Sequence, residues 1–124
     1  MKKRVNKIYI SDNFRREAKP LLKKYRSLSR ELSILEAELL ANPNTGISLG
    51  NDCYKIKLGI KSKGKGKSGG ARIITHLHFI TIKNEDAAYV VLLSIYDKSE
   101  YSSLPDYVVK HLVKDIKVEL GKVQ

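Results

Sequence analysis

The sequence predicts an α+β domain: a small, mainly antiparallel sheet, an N-terminal helical hairpin and a C-terminal helix, in the order β-α-α-β-β-β-α. Three observations predict it. Apolar residues recur every three to four positions over residues 12–41 and then alternate over residues 53–97. Helical spacing returns after Pro105, and turn-forming residues stand at each change of period. At 124 residues, 42% hydrophobic and 30% charged, residues 1–124 suit one domain around one core rather than a disordered or fibrous chain.

Residues 5–10 (VNKIYI) alternate and read as the first strand. Ser11 and Asp12 offer N-caps for a helix carrying Phe14, Ala18, Leu21, Leu22 and Tyr25 on one stripe. Pro20 lies within that stripe, where its missing N–H predicts a kink. Ser27 or Ser29 can cap a second helix with Leu28, Leu32, Leu35, Leu39 and Leu40 on its apolar side. The turn residues 42–46 (NPNTG) end the pair. Residues 53–60, 71–82 and 87–97 read as strands, the first two joined by the loop KSKGKGKSGG and the last two by a turn at residues 83–86. That turn is short enough for an antiparallel hairpin. Pro105 opens the last helix, with Val108, Val109, Leu112, Val113, Ile116 and Leu120 as its stripe and Gly121 as its stop.

Charge carries the functional information. The formal net charge is +11, unevenly spread. Residues 1–30 hold eleven cations and two acids, residues 31–52 four acids and no cation, and residues 53–84 eight cations and no acid. A merely solvated face mixes signs, whereas a one-signed field attracts polyanions. Nucleic acid is the expected partner class, ahead of acidic proteins. A membrane is not expected: the charge accompanies β-type sequence, and no apolar run approaches the roughly 20 residues of a membrane span. The basic N-terminus lacks the apolar core of a secretory signal, so the cytoplasm is the expected compartment.

Strand alternation sorts the side chains. Lys55 and Lys57 share one face of their strand; Arg72, Ile74, His76 and His78 share one face of the next; Ser94, Tyr96 and Lys98 lie together near the end of the last. If these faces coincide, Lys55, Lys57, Arg72, Tyr96 and Lys98 converge beneath the glycine-rich loop. In that loop Lys61, Lys63, Lys65 and Lys67 alternate with small residues, a flexible cationic strap suited to phosphate backbones.

Other motifs lead elsewhere. Gly66-Lys67-Ser68 ends like a nucleotide-binding phosphate loop, but position 61 is Lys61 where the motif needs glycine, and a strand follows instead of a helix. His76 and His78 have no third ligand nearby in sequence, so RNA contact or packing is expected rather than a metal. Cys53, the single cysteine, has no evident sequence partner and reads as a small buried residue, excluding an intramolecular disulfide. No carboxylate pair of the glycosidase kind is evident, since the acids lie outside the basic stretch.

The segments Asp52-Cys53-Tyr54-Lys55-Ile56-Lys57-Leu58 and Gly64-Lys65-Gly66-Lys67-Ser68-Gly69-Gly70-Ala71-Arg72-Ile73-Ile74 resemble toxins of the RelE/HigB group, in the RelE/ParE superfamily of bacterial type II toxin–antitoxin systems. Residues 92–100 (LLSIYDKSE) look like the last strand and basic tip of that family. The resemblance implies a RelE-like fold and a metal-independent, cofactor-free endoribonuclease. Such an enzyme cuts mRNA in the ribosomal A site through the ribose 2′-hydroxyl, leaving a 2′,3′-cyclic phosphate and a 5′-hydroxyl. It implies Lys57 as base with Lys55 beside it, Arg72 on the scissile phosphate, and Lys98 near the leaving group where relatives often carry arginine. Tyr96, Tyr101 and Tyr107 are the candidates for stacking on a base, because Pro105 occupies the position of the family's tyrosine. The chemistry agrees: in-line attack needs a base, a cation for developing phosphorane charge and help for the leaving oxygen, and lysines crowded by like charge can supply the base. Implied partners are a cognate antitoxin, the ribosome and mRNA, with operator DNA reached only through the antitoxin. Alternatives are a non-catalytic RNA- or ribosome-binding protein and a ParE-like gyrase inhibitor.

Overall fold

A computed structural model describes residues 5–64 and 66–123. The elements are β1 (Val5–Ile10), α1 (Asp12–Lys24), α2 (Leu28–Ala41), β2 (Ile47–Gly50), β3 (Cys53–Leu58), a 3-10 turn (Lys61–Lys63), β4 (Ala71–Ile82), β5 (Glu85–Asp97) and α3 (Asp106–Val123). The five strands form one mixed sheet in the order β1-β5-β4-β3-β2. β1 runs parallel to β5, and the other three pairings are antiparallel. The helical hairpin and the α3 helix are where the periodicity placed them, except that α3 runs through Gly121, its expected stop, to Val123.

Local chemistry explains the joints. Ser11 caps α1, its Oγ accepting from the Phe14 N–H at 3.0 Å. Beyond the end of β1, Ser11 and Asn13 donate to the Leu93 carbonyl, so the start of the helix pairs a stretch of β5 that β1 does not reach. α1 continues through Pro20 to Lys24. The long β4–β5 hairpin turns at Lys83 and Asn84, both at positive φ (50° and 65°), the two-residue geometry whose twist matches the flanking strands. The ladder therefore starts at Glu85, two residues before the expected start. A register shift beside Ile74 makes Leu93 an extra residue in β5.

The sequence expectation lacked β2. Its four residues are all exposed, so no alternation of burial marks them. The turn after it uses Gly50, Asn51 and Asp52, all at positive φ, and Asn and Asp tolerate that region better than other L-residues. The observed order has one strand more than predicted.

The two faces are covered differently. α1 and α2 bury Phe14, Ala18, Leu21, Tyr25, Leu28, Leu35 and Leu39 against Ile56, Ile73, Leu77, Val90, Leu92 and Ile95. α3 packs the opposite face with Val109, Ile116 and Leu120 against Ile74, Val91, Leu93 and Tyr96. No helix among the described residues is long and apolar enough to cross a membrane.

Candidate nucleic-acid interface

The β-ladder fixes which cations meet. Lys57 stands opposite Arg72, and Arg72 opposite Tyr96, so the three form one cross-strand row over β3, β4 and β5. Paired residues of antiparallel strands project to the same face, here the face that carries α3. Lys55 lies one step along, opposite Ile74. Lys98 follows β5, its backbone N–H donating to the Gly70 carbonyl at 3.1 Å and its Nζ lying 3.5 Å from the Ser102 carbonyl. The registers bring Lys55, Lys57, Arg72 and Tyr96 to one end of one sheet face; Lys98 lies just beyond the ladder, where the registers do not set its side chain.

Their exposure differs. Lys57 is exposed, while Arg72 and Tyr96 are 4% and 3% exposed. Arg72 donates from Nη1 to the Lys67 and Ala71 carbonyls (2.8 and 3.2 Å) and from Nη2 to the Ser68 carbonyl (3.0 Å). Among the described residues no carboxylate lies within ion-pair distance of its guanidinium; the two ion pairs are Lys63–Asp97 and His111–Asp115. Tyr96 Oη is buried with no hydrogen-bond partner. Tyr101 packs edge-on against its ring at 6.1 Å. Burial raises the Tyr96 pKa above that of an ordinary phenol, and the Arg72 charge offsets only part of this, so the hydroxyl keeps its proton.

The glycine-rich loop is anchored rather than a free strap, because Lys63, one of the four loop lysines that sequence reading assigned to RNA, has a buried carboxylate to meet. Lys63 Nζ contacts Asp97 Oδ1 at 2.5 Å and the Gly69 carbonyl at 2.8 Å. Asp97 also accepts from Tyr25 Oη and from the Ser99 N–H and hydroxyl. Burial opposes ionisation of Asp97, but Lys63, Tyr25 and Ser99 outweigh it and hold the carboxyl well below the usual carboxylate range. Lys61 N–H donates to Glu31 Oε2, and Ser62 and Ser27 bond reciprocally. The loop thus straddles the strand ends, tied near the α1–α2 connection at its start and to Arg72 at its close. Lys61 and Lys67 are exposed, Lys63 is engaged as described, and Lys65 lies outside the described residues.

Gly70 makes the tie possible: a Cβ there would fall 2.0 Å from the Leu58 carbonyl oxygen and 3.1 Å from Gly59 Cα. Gly70→Ala should therefore cost about 3 kcal/mol, at the upper end of overpacking, and lower the melting temperature by about 10 °C. Gly66→Ala, whose Cβ meets nothing within 4 Å, should stay within about 0.5 kcal/mol in the same thermal melts.

The histidines do not join the row. His78 is six residues from Arg72 along β4, roughly 20 Å. His76 is buried with its Nδ1 3.4 Å from Cys53 Sγ, a partner for Cys53 that spacing did not reveal. Burial, with the Asp52 charge behind it, pushes the thiol up to about 11. Burial and then His78 lower the His76 pKa. The pair is a neutral thiol and a neutral imidazole, not a thiolate nucleophile. Tyr107 is 74% exposed on α3. Among the described residues no three His, Cys, Asp or Glu side chains gather as metal ligands do.

Sequence reading missed Asp97, whose partners lie far away in the chain, and also Lys110, Lys114 and Lys117 of α3. Their spacing of four and three, which puts them on one flank of the helix, was the available signal. No protein-family model matches the chain, and no solved structure matches it with significance.

Proposed function

We propose that this chain is a RelE/HigB-like toxin: a ribosome-dependent mRNA endoribonuclease acting in the cytoplasm. One observation carries the reading. A buried guanidinium with no carboxylate partner among the described residues sits between an exposed lysine and a buried, unpartnered phenol, so a bound anion would supply its counter-charge. A buried charge calls for a counter-charge, and a planar guanidinium fits phosphate with two parallel bonds.

In this mechanism Lys57, in its neutral form, takes the proton of the ribose 2′-hydroxyl. The 2′-oxygen attacks phosphorus while the P–O5′ bond breaks. Arg72 stabilises the non-bridging oxygens as negative charge builds, the phosphate replacing the Lys67 and Ser68 carbonyls on the guanidinium. Lys98, two residues after Tyr96 in the chain, supplies the proton to the departing 5′-oxygen. Lys55 adds positive charge one step along the face, and Tyr101 or Tyr107 offers a ring for a base. The products are a 2′,3′-cyclic phosphate and a 5′-hydroxyl. A cognate antitoxin capping this face is the expected protein partner, with operator DNA bound through it.

Primer extension on an mRNA, with and without programmed ribosomes and with EDTA in the naked-RNA arm, tests the reading. Codon-spaced cuts that need ribosomes are expected. RNA binding without any cut would transfer the assignment to a non-catalytic RNA- or ribosome-binding protein. One observation favours that second reading: three of the guanidinium's donor bonds already go to backbone carbonyls.

A further inference from the structure

α3 packs mainly over β5, touching β3 and β4 through the buried Cys53 and Ile74, and leaves the space between it and the rest of those two strands open. The result is an open cleft of about 1030 Å³. One wall is the sheet, with Lys55, His76 and His78; the other is the helix, with Lys110, Lys114 and Lys117. Asp52 and Asp106 are the acids of its lining, and neither forms an ion pair with these lysines. Among the described residues the four lysines have no carboxylate within 4 Å, so both walls present cations facing across a concavity in which they outnumber the two acids and are not ion-paired. Lys117 lies close enough to the imidazoles for its charge to lower the pKa of both.

We propose that this cleft holds the backbone of the RNA beyond the cut, as a second phosphate site continuous with the Lys57–Arg72–Tyr96 row. Continuity is structural. Lys55 lines the cleft and sits two residues from Lys57 on the same strand face, about 7 Å away. Arg72, His76 and His78 descend the neighbouring strand on that face. A single strand lying along β3 and β4 passes from the exposed Lys57 into the cleft without crossing an unpaired carboxylate pair. The helix lysines then take phosphates as point charges, and the half-buried His78 offers its ring and N–H to a base. An acidic protein segment would satisfy the charge but not use His78 or the connection to the row.

The inference rests on the ribonuclease reading, and the test separates the two. A labelled single-stranded RNA is titrated with the full chain across a salt series, followed by steady-state cleavage on programmed ribosomes. The cleft variant carries Lys110→Gln, Lys114→Gln and Lys117→Gln, which preserve helix propensity. A control of equal charge loss carries Lys19→Gln, Lys23→Gln and Arg26→Gln, exposed positions away from the cleft. The cleft variant should bind at least about tenfold more weakly at low salt, and the slope of log K against log salt should shrink by about 2. Its KM should rise with kcat retained, while the control changes little. Equal weakening of both variants, or an unchanged slope in the cleft variant, overturns the cleft site and leaves the catalytic row standing. A cleft-dependent slope in a protein that never cuts supports the site and sinks the ribonuclease reading. Displacement of the RNA by polyglutamate as readily as by unlabelled RNA reassigns the cleft to an acidic partner and overturns the proposal.

Discussion

Lys57→Ala should lower ribosome-dependent mRNA cleavage by about 10²- to 10⁴-fold, the range expected for loss of a general base. Thermal stability should barely move, since the side chain is exposed and makes none of the hydrogen bonds that anchor the loop. Arg72→Ala is the instructive comparison. It should abolish cleavage as fully but also destabilise the fold, because the guanidinium holds the Lys67 and Ser68 carbonyls. Arg72→Lys keeps the charge and loses the fork, so it should recover little activity. Rates from primer extension beside melting curves distinguish the two roles. If Lys57→Ala cut as fast as wild type, the base would lie elsewhere on the face, and Lys55 would be examined next.

Asp97→Asn should cost about 3–5 kcal/mol, the usual penalty for stranding one member of a buried ion pair. The carboxylate is 1% exposed and receives Lys63, Tyr25 and two bonds from Ser99. The amide keeps the shape but leaves Lys63, itself only 12% exposed, without its counter-charge. Lys63→Gln with Asp97→Asn should cost less than the sum of the single changes, because the two share one interaction. Asp97 also sets a pH dependence. Its folded carboxyl titrates below the unfolded value of 3.8, so its contribution is complete above that pH and is lost as pH falls beneath it. Urea unfolding between pH 6 and 2 should show this loss in the wild type, and a flatter profile at its acid end in Asp97→Asn.

Both predictions mark where the sequence was legible and where it was not. Periodicity located three helices and four of the five strands, because their burial is one-sided and leaves a regular apolar trace. β2 left none, with all four residues in solvent. Alternation also placed Lys57, Arg72 and Tyr96 on compatible faces, and only the register could set them side by side. Lys63 shows the limit. In the sequence it is one of four similar lysines in a glycine-rich loop, and nothing local separates an RNA contact from a structural cation. The distinction lies in Asp97, 34 residues away. Arg72 is legible as a residue with a role, but its bonds to loop carbonyls depend on how the chain folds back over the strand end.

The parallel pairing of β1 with β5 has a kinetic consequence. Val5 finds Ala87 and Ile10 finds Leu92, so this edge of the sheet closes only over a loop of some eighty residues. Local contacts form early, and such distant ones pay the full loop entropy first. The β4–β5 hairpin, with its two-residue turn, should assemble well before β1 docks. On a translating ribosome β1 therefore waits until β5 has emerged. A nascent fragment ending before β5 has neither that sheet edge nor the residue that completes the Lys57–Arg72–Tyr96 row.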